Sequence, residues 1–216
     1  MNLLKRGKIV CLTGLMSMAL VTSCLKEGTD TLVLPLPDGR IPYSVISEAL
    51  QDSLTHHGMI IHEGVNPPMV VGTYLVAPMT KDYASDNAPG SYVNLLMSFA
   101  NQIERGVLSY QELQNTDLLQ IPVTGQSIEA NIIGSDSNFT VYCYQNVVEK
   151  NGDNPLWRVK TATVVSGTMS TGGIYNCQYS VIILEREIFD SNYESSIPVE
   201  GTFRLFHDGD NYTVKL

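Results

Sequence analysis

Beyond residue 68 apolar and polar side chains alternate with a period of two, in one short segment after another, and no helical period interrupts them. Successive strand residues point to opposite faces, so each segment carries one apolar face that has to be hidden from water. Val70 to Pro78 is the first. From Tyr92 to Ile103, Val93, Leu95, Met97 and Phe99 oppose Asn94, Ser98 and Gln102; later Ile128, Ala130 and Ile132 oppose Glu129 and Asn131. Phe139, Val141 and Cys143 follow a turn at Gly134–Ser137, Trp157, Val159, Thr161 and Val165 face away from Arg158 and Lys160, and Tyr175, Cys177, Tyr179, Val181 and Ile183 share one phase. Thr202 to His207 and Tyr212 to Leu216 flank Asp208-Gly209, a dipeptide that predicts a tight hairpin. The pattern predicts a mainly all-β fold, an antiparallel meander of about eight or nine strands. Such a sheet hides its apolar face and its edges by closing into a barrel, with a β-sandwich as the alternative.

One helix precedes the strands. From Ser44 to His57, Val45, Ile46, Ala49, Leu50 and Leu54 fall on one face and Ser47, Glu48, Gln51 and Asp52 on the other, with Ser44 as predicted N-cap and Gly58 at the C-terminal stop. The helix is expected to cover one end of the barrel. Residues 26–43 hold three prolines and two glycines and read as an extended tether. The domain organisation is therefore a leader over 1–23, a tether over 24–43 and one helix-plus-barrel domain over 44–216.

Lys5, Arg6 and Lys8 precede an apolar run of 13 residues, Ile9 to Val21. About 20 residues are needed to span a hydrocarbon core, so the run reads as the core of a signal peptide. Val21-Thr22-Ser23-Cys24 resembles a bacterial lipobox. That resemblance implies that Cys24 becomes the mature N-terminus and carries thioether-linked lipid with palmitate-like chains, an anchor to the membrane that does not span it. Leu25-Lys26-Glu27-Gly28-Thr29-Asp30 is similar to the charged start of Bacteroidetes-type lipoproteins, implying an outer-membrane location with the surface favoured over the periplasmic face. Removal of the leader takes away three of the 13 bases and none of the 22 acids, leaving a balance of −12. A surface that negative repels phosphate and disfavours nucleic acid as a partner.

A capped helix followed by Gly72-Thr73-Tyr74 at the head of the first strand resembles the start of lipocalin-like (calycin) barrels. The resemblance implies that Gly72 and Tyr74 close one end of the barrel and that Arg204, on the last strands, packs over the Tyr74 ring. Tyr stands where that family usually has Trp. Residues 59–78 and the TFRLFHDGD segment are also similar to uncharacterised Bacteroidetes-type lipoproteins.

Cys11 leaves with the leader and Cys24 is spent on lipid, so Cys143 and Cys177 remain. Outside the cytosol a disulfide between them is chemically permitted, with buried free thiols as the alternative. His56, His57, His62 and His207 match no metal-ligand spacing, and no Gly-x-Ser-x-Gly or phosphate-binding loop occurs, so neither metal, cofactor nor enzymatic activity is expected. Tyrosine is abundant, with 11 Tyr against 5 Phe and 1 Trp, and Tyr142 and Tyr144 are predicted on the outward phase of their strand. The expected function is that of a non-catalytic cell-envelope lipoprotein, structural or surface-binding, contacting a glycan or protein through exposed Tyr. The alternatives are a lipocalin-like carrier of a small apolar or amphipathic ligand and, last, an envelope hydrolase. Phe99, Met97, Phe139, Trp157, Tyr175, Tyr179 and Phe203 on the predicted inward phases favour a barrel filled by its own side chains.

Overall fold

The alternating segments pair in chain order. The computed structural model describes residues 34–86, 94–103, 106–115 and 128–216, so the leader, Cys24 and most of the expected tether lie outside the described residues. The strands are β1 (Gly72–Val76), β2 (Met79–Ala84), β3 (Asn94–Ala100), β4 (Val107–Asn115), β5 (Ile128–Ser135), β6 (Asn138–Asn151), β7 (Asn154–Met169), β8 (Gly173–Ile188), β9 (Phe203–Asp208) and β10 (Tyr212–Lys215). β1 pairs with β3, each later strand with the next through β8, β8 with β10, and β10 with β1. All these pairings are antiparallel, and the circuit is a closed eight-stranded barrel. Closure removes the free edges that the alternation would otherwise expose.

The expected hairpin at Asp208-Gly209 does not form. β9 and β10 do not pair with each other. β9 pairs with β8 at Gln178–Ile182 and β10 with β8 at Gly173–Tyr175, while on their other side they meet β2 and β1. They are one strand interrupted by a bulge. Asn211 donates its N–H to the Asp208 carbonyl at 2.9 Å, which closes a turn, and the chain then resumes its direction with Asn211 at φ 62. Asp208 holds the bulge from within, since its buried carboxylate accepts a hydrogen bond from Thr213 Oγ1 at 2.7 Å. The neighbouring strands are irregular at the same level. Asn176 in β8 has φ 50, and Ala77-Pro78, a cis peptide, separates β1 from β2.

The barrel interior is apolar. Tyr74, Met97, Phe99, Leu108, Tyr110, Ile132, Phe139, Val141, Val165 and Tyr179 belong to one buried cluster, together with Cys143 and Cys177. The expected inward set is only partly right. Met97, Phe99, Phe139 and Tyr179 point inward, but the bulge at Asn176 reverses the phase ahead of it, so Tyr175 faces out and is half exposed. Phe203 belongs to the outer wall, and Trp157, opposite Glu149 and Ile188, sits half-buried where β6, β7 and β8 run on past their other neighbours.

A second apolar cluster lies outside the barrel. Ile133, Tyr142, Ala162, Val164, Ile182 and Leu205 occupy the outward phases of β5 to β9 and pack against Ile41, Val45, Ile46, Leu54 and Met59. The helix α1 (Glu48–His56) thus covers the wall of the barrel and not its end. Its N-cap is Ser47 and not Ser44, so it starts three residues later than predicted. Pro42 O accepts the N–H groups of Val45 (2.9 Å) and Ile46 (3.3 Å) in a turn, and the Gln51 amide then donates to Ile46 O at 2.7 Å. Beyond the helix the chain crosses the same wall through Gly64, whose N–H reaches Gly39 O at 3.0 Å and whose carbonyl accepts from Gly134 N at 3.0 Å.

Candidate binding surfaces

The end of the barrel where β1 begins is built around Tyr74. Its ring is fully buried against Phe99, with centroids 5.8 Å apart, and Phe99 in turn stacks on Tyr110 at 5.3 Å. The Tyr74 hydroxyl donates to Val70 O at 2.9 Å, and burial holds its phenol above the ordinary range. Gln102 clips the incoming chain, its amide oxygen accepting from Val70 N and its amide nitrogen donating to Pro68 O, both at 2.8 Å. Gly72 has φ 153, and a Cβ there would stand 2.5 Å from Lys215 Cε. This glycine allows the Lys215 side chain to lie across the barrel floor.

The cation over Tyr74 is Lys215 and not Arg204. Lys215 is the cross-strand partner of Tyr74, its Nζ lies 5.7 Å from the ring centroid, and it donates to Val71 O at 2.8 Å. Arg204 stands at the opposite end, across from Ala84 and Val181, and its guanidinium forms a forked pair with Asp86 (Nη2 to Oδ2 2.6 Å, Nε to Oδ2 3.2 Å). The assignment fails because the β9–β10 bulge carries the last strand through to the closed end, which puts its terminal Lys opposite Tyr74. A cation late in the last strand, in register with the aromatic of the first, is the signal that identifies Lys215.

Cys143 and Cys177 are both buried free thiols. Cys143 lies opposite Thr163, and Thr163 opposite Val181, so β7 separates the two cysteines and Cys177 sits four residues further along β8. At roughly 4.8 Å per strand and 3.3 Å per residue this exceeds the reach of a disulfide. Burial pushes the Cys177 thiol up to about 12, so it stays protonated. Beside it, the Asp208 carboxyl is raised above the ordinary carboxylate range, first by burial.

The histidines are dispersed. His57 stacks on Tyr83 at the helix end, with centroids 3.6 Å apart, and His207 Nδ1 lies 2.7 Å from Asp82 Oδ1 on the outer wall. His62 donates its N–H to Thr140 Oγ1 at 2.7 Å, and burial lowers the pKa of its ring.

The tyrosines predicted to form a contact surface do not. Tyr142 is fully buried beneath the helix segment, and Tyr144 is half-buried with Lys160 Nζ 5.3 Å from its ring centroid. An exposed aromatic stands elsewhere on the wall, Tyr175, beside half-buried Tyr212. Tyr175 and Tyr212 are cross-strand partners with centroids 4.7 Å apart and planes at 49°. Simple alternation misses them because both flank bulges. The clue available in the sequence is an Asn adjoining each Tyr, Asn176 and Asn211, since Asn tolerates the left-handed conformation that a bulge requires.

Among the described residues no helix is long and apolar enough to cross a membrane. No protein-family model, no curated protein and no solved structure matches the chain.

Proposed function

We propose that this chain is a lipid-anchored protein of the bacterial cell envelope, resembling Bacteroidetes-type lipoproteins, held through Cys24 and acting as a non-catalytic body that binds with the outer wall of its barrel. The observation that carries this reading is the packing of the interior. Tyr74, Met97, Phe99, Tyr110 and Phe139 are at most 2% exposed and occupy the inner phases from the closed end upward. An eight-stranded barrel has an interior just wide enough for side chains to fill, so bulk of this kind shifts contacts to the outside. The location rests on the cationic leader, its short apolar run and the lipobox ending at Cys24.

Expression of the full chain in a diderm bacterium tests the reading. With radiolabelled palmitate, the wild-type chain is expected in the membrane fraction and labelled, and Cys24→Ala unlabelled. A wild-type chain that is soluble and unlabelled refutes it. Protease treatment of intact cells then reports the face, with cleavage expected for surface display.

A second reading, a carrier of a small apolar or amphipathic ligand, draws support from Thr161. Its hydroxyl is buried on an inward phase of β7 and has no hydrogen-bond partner among the described residues. Saturable one-to-one uptake of dodecanoate, measured by calorimetry, would favour the carrier. No uptake is expected.

A further inference from the structure

The outer wall at the closed end carries a small constructed surface. The phenol end of Tyr212 sits against Gly172 and Gly173. A Cβ on Gly172 would come within 2.6 Å of the Tyr212 hydroxyl, and one on Gly173 within 3.1 Å of its Cζ. The two glycines therefore make room for that end of the ring, and Asp210 Oδ1, accepting from Tyr212 N at 3.0 Å, fixes the backbone that bears it. Tyr175 stands beside it, 51% exposed, and completes an open angle of two rings.

Around this pair the backbone is strained in two adjacent places. Asn176 (φ 50) and Asn211 (φ 62) are left-handed non-glycine residues, joined by Asn176 N donating to Asn211 O at 3.1 Å. Paired outliers of this kind persist where the surrounding structure holds them, and they collect at ligand-binding sites. Here they set two exposed asparagines next in the chain to exposed Tyr175 and half-buried Tyr212.

We infer that Tyr175, Tyr212, Asn176 and Asn211 form a binding site for a neutral saccharide. The apolar C–H face of a pyranose matches the open ring surface, and carboxamides donate to and accept from hydroxyl groups alike. Stacking of nucleobases would use the same rings, but a mature chain at −12, with Asp210 at the site, repels the phosphates they bring. A purely apolar ligand would leave the carboxamides without partners. The inference rests on the proposal that the outer wall is the working surface.

The test uses the full lipidated chain in phosphatidylcholine nanodiscs, titrated by calorimetry with maltohexaose, cellohexaose, mannohexaose and chitohexaose. At least one is expected to bind, and Tyr175→Ala and Tyr212→Ala are each expected to weaken it about tenfold. Tyr175→Phe keeps the stacking face and is expected to bind nearly as wild type, and Tyr43→Ala, at an exposed tyrosine elsewhere, to bind unchanged. Melting curves of the four variants separate lost binding from lost folding. Absence of binding to all four sugars, or binding indifferent to both alanine variants, overturns the inference. A chain that carries lipid yet ignores every sugar sinks this site alone, whereas an unlipidated chain that binds one sinks the anchoring.

Discussion

Leu54→Ala probes the most consequential feature of the fold, the docking of α1 on the barrel wall. Leu54 is fully buried in the cluster that joins the helix segment to Tyr142, Ala162, Val164, Ile182 and Leu205. Truncating a buried leucine costs the transfer free energy of the lost methyl groups plus that of the cavity, about 2–5 kcal/mol. With a urea slope of about 2 kcal/mol/M, a 3 kcal/mol loss moves the midpoint down by about 1.5 M. The assay is equilibrium urea unfolding followed by far-ultraviolet circular dichroism and Trp157 fluorescence, with Ala49→Ser on the exposed side of the same helix as control, expected within about 0.5 kcal/mol. Val164→Ala removes methyl groups from the facing wall, and in combination with Leu54→Ala the two are expected to couple by at least about 0.5 kcal/mol. If Leu54→Ala costs no more than the control, or adds to Val164→Ala without coupling, the helix does not pack on that wall and the argument fails.

Three further outcomes follow from buried polar groups and close backbone contacts. Because burial raises the Asp208 carboxyl in the folded chain, the folded state holds more protons than the unfolded one between the two pKa values; stability therefore falls as pH rises through that window and is flat above it. Asp208→Asn keeps an acceptor for Thr213, so it is expected to stabilise at pH 7 and to leave stability unchanged below the ordinary carboxylate range; a pH series of thermal melts that parallels wild type would contradict this. Cys143 and Cys177 are expected to react with an aromatic disulfide reagent only after denaturation, and a thiol titrating within minutes in the native chain would contradict their burial. Gly64→Ala places a Cβ 2.5 Å from Gly134 O at φ 137 and is expected to lose at least about 1–3 kcal/mol, read by the same urea midpoint.

The barrel was legible because alternation is a direct record of strand burial. Leu95, Met97 and Phe99 read from the sequence as one face, and all three are buried on the inner wall. What escaped is local to the bulges. One extra residue reverses every side chain beyond it, so Asn176 turns Tyr175 outward, and Asp208–Asn211 carry a sequence that signals a hairpin while continuing one strand. The turn signal was right about φ and wrong about direction, because the pairing of both halves with β8 decides where the chain goes. The docking of α1 had its own signal. Ala162-Thr163-Val164-Val165 and Val181-Ile182-Ile183-Leu184 are nearly unbroken apolar runs, as expected of strands covered on both faces, and a helix on one end could not have covered them. The same covering removed Tyr142 from the contact surface. Lys215 was missed because its partnership with Tyr74 depends on the register of the last strand, which no local pattern carries.

Closure of the barrel by its last strand underlies both the filled interior and the use of the outer wall, and one pair of cysteines tests it. Leu75 and Val214 are cross-strand partners, and antiparallel partners lie roughly 4.5–5.5 Å apart at Cα, within disulfide reach. Leu75→Cys with Val214→Cys is expected to oxidise to a single intramolecular disulfide, seen as a mobility shift on non-reducing gels. Leu205→Cys with Val214→Cys, the pair that a hairpin over Asp208–Asn211 would bring together, is expected to stay reduced; the opposite result would mean that the barrel is open.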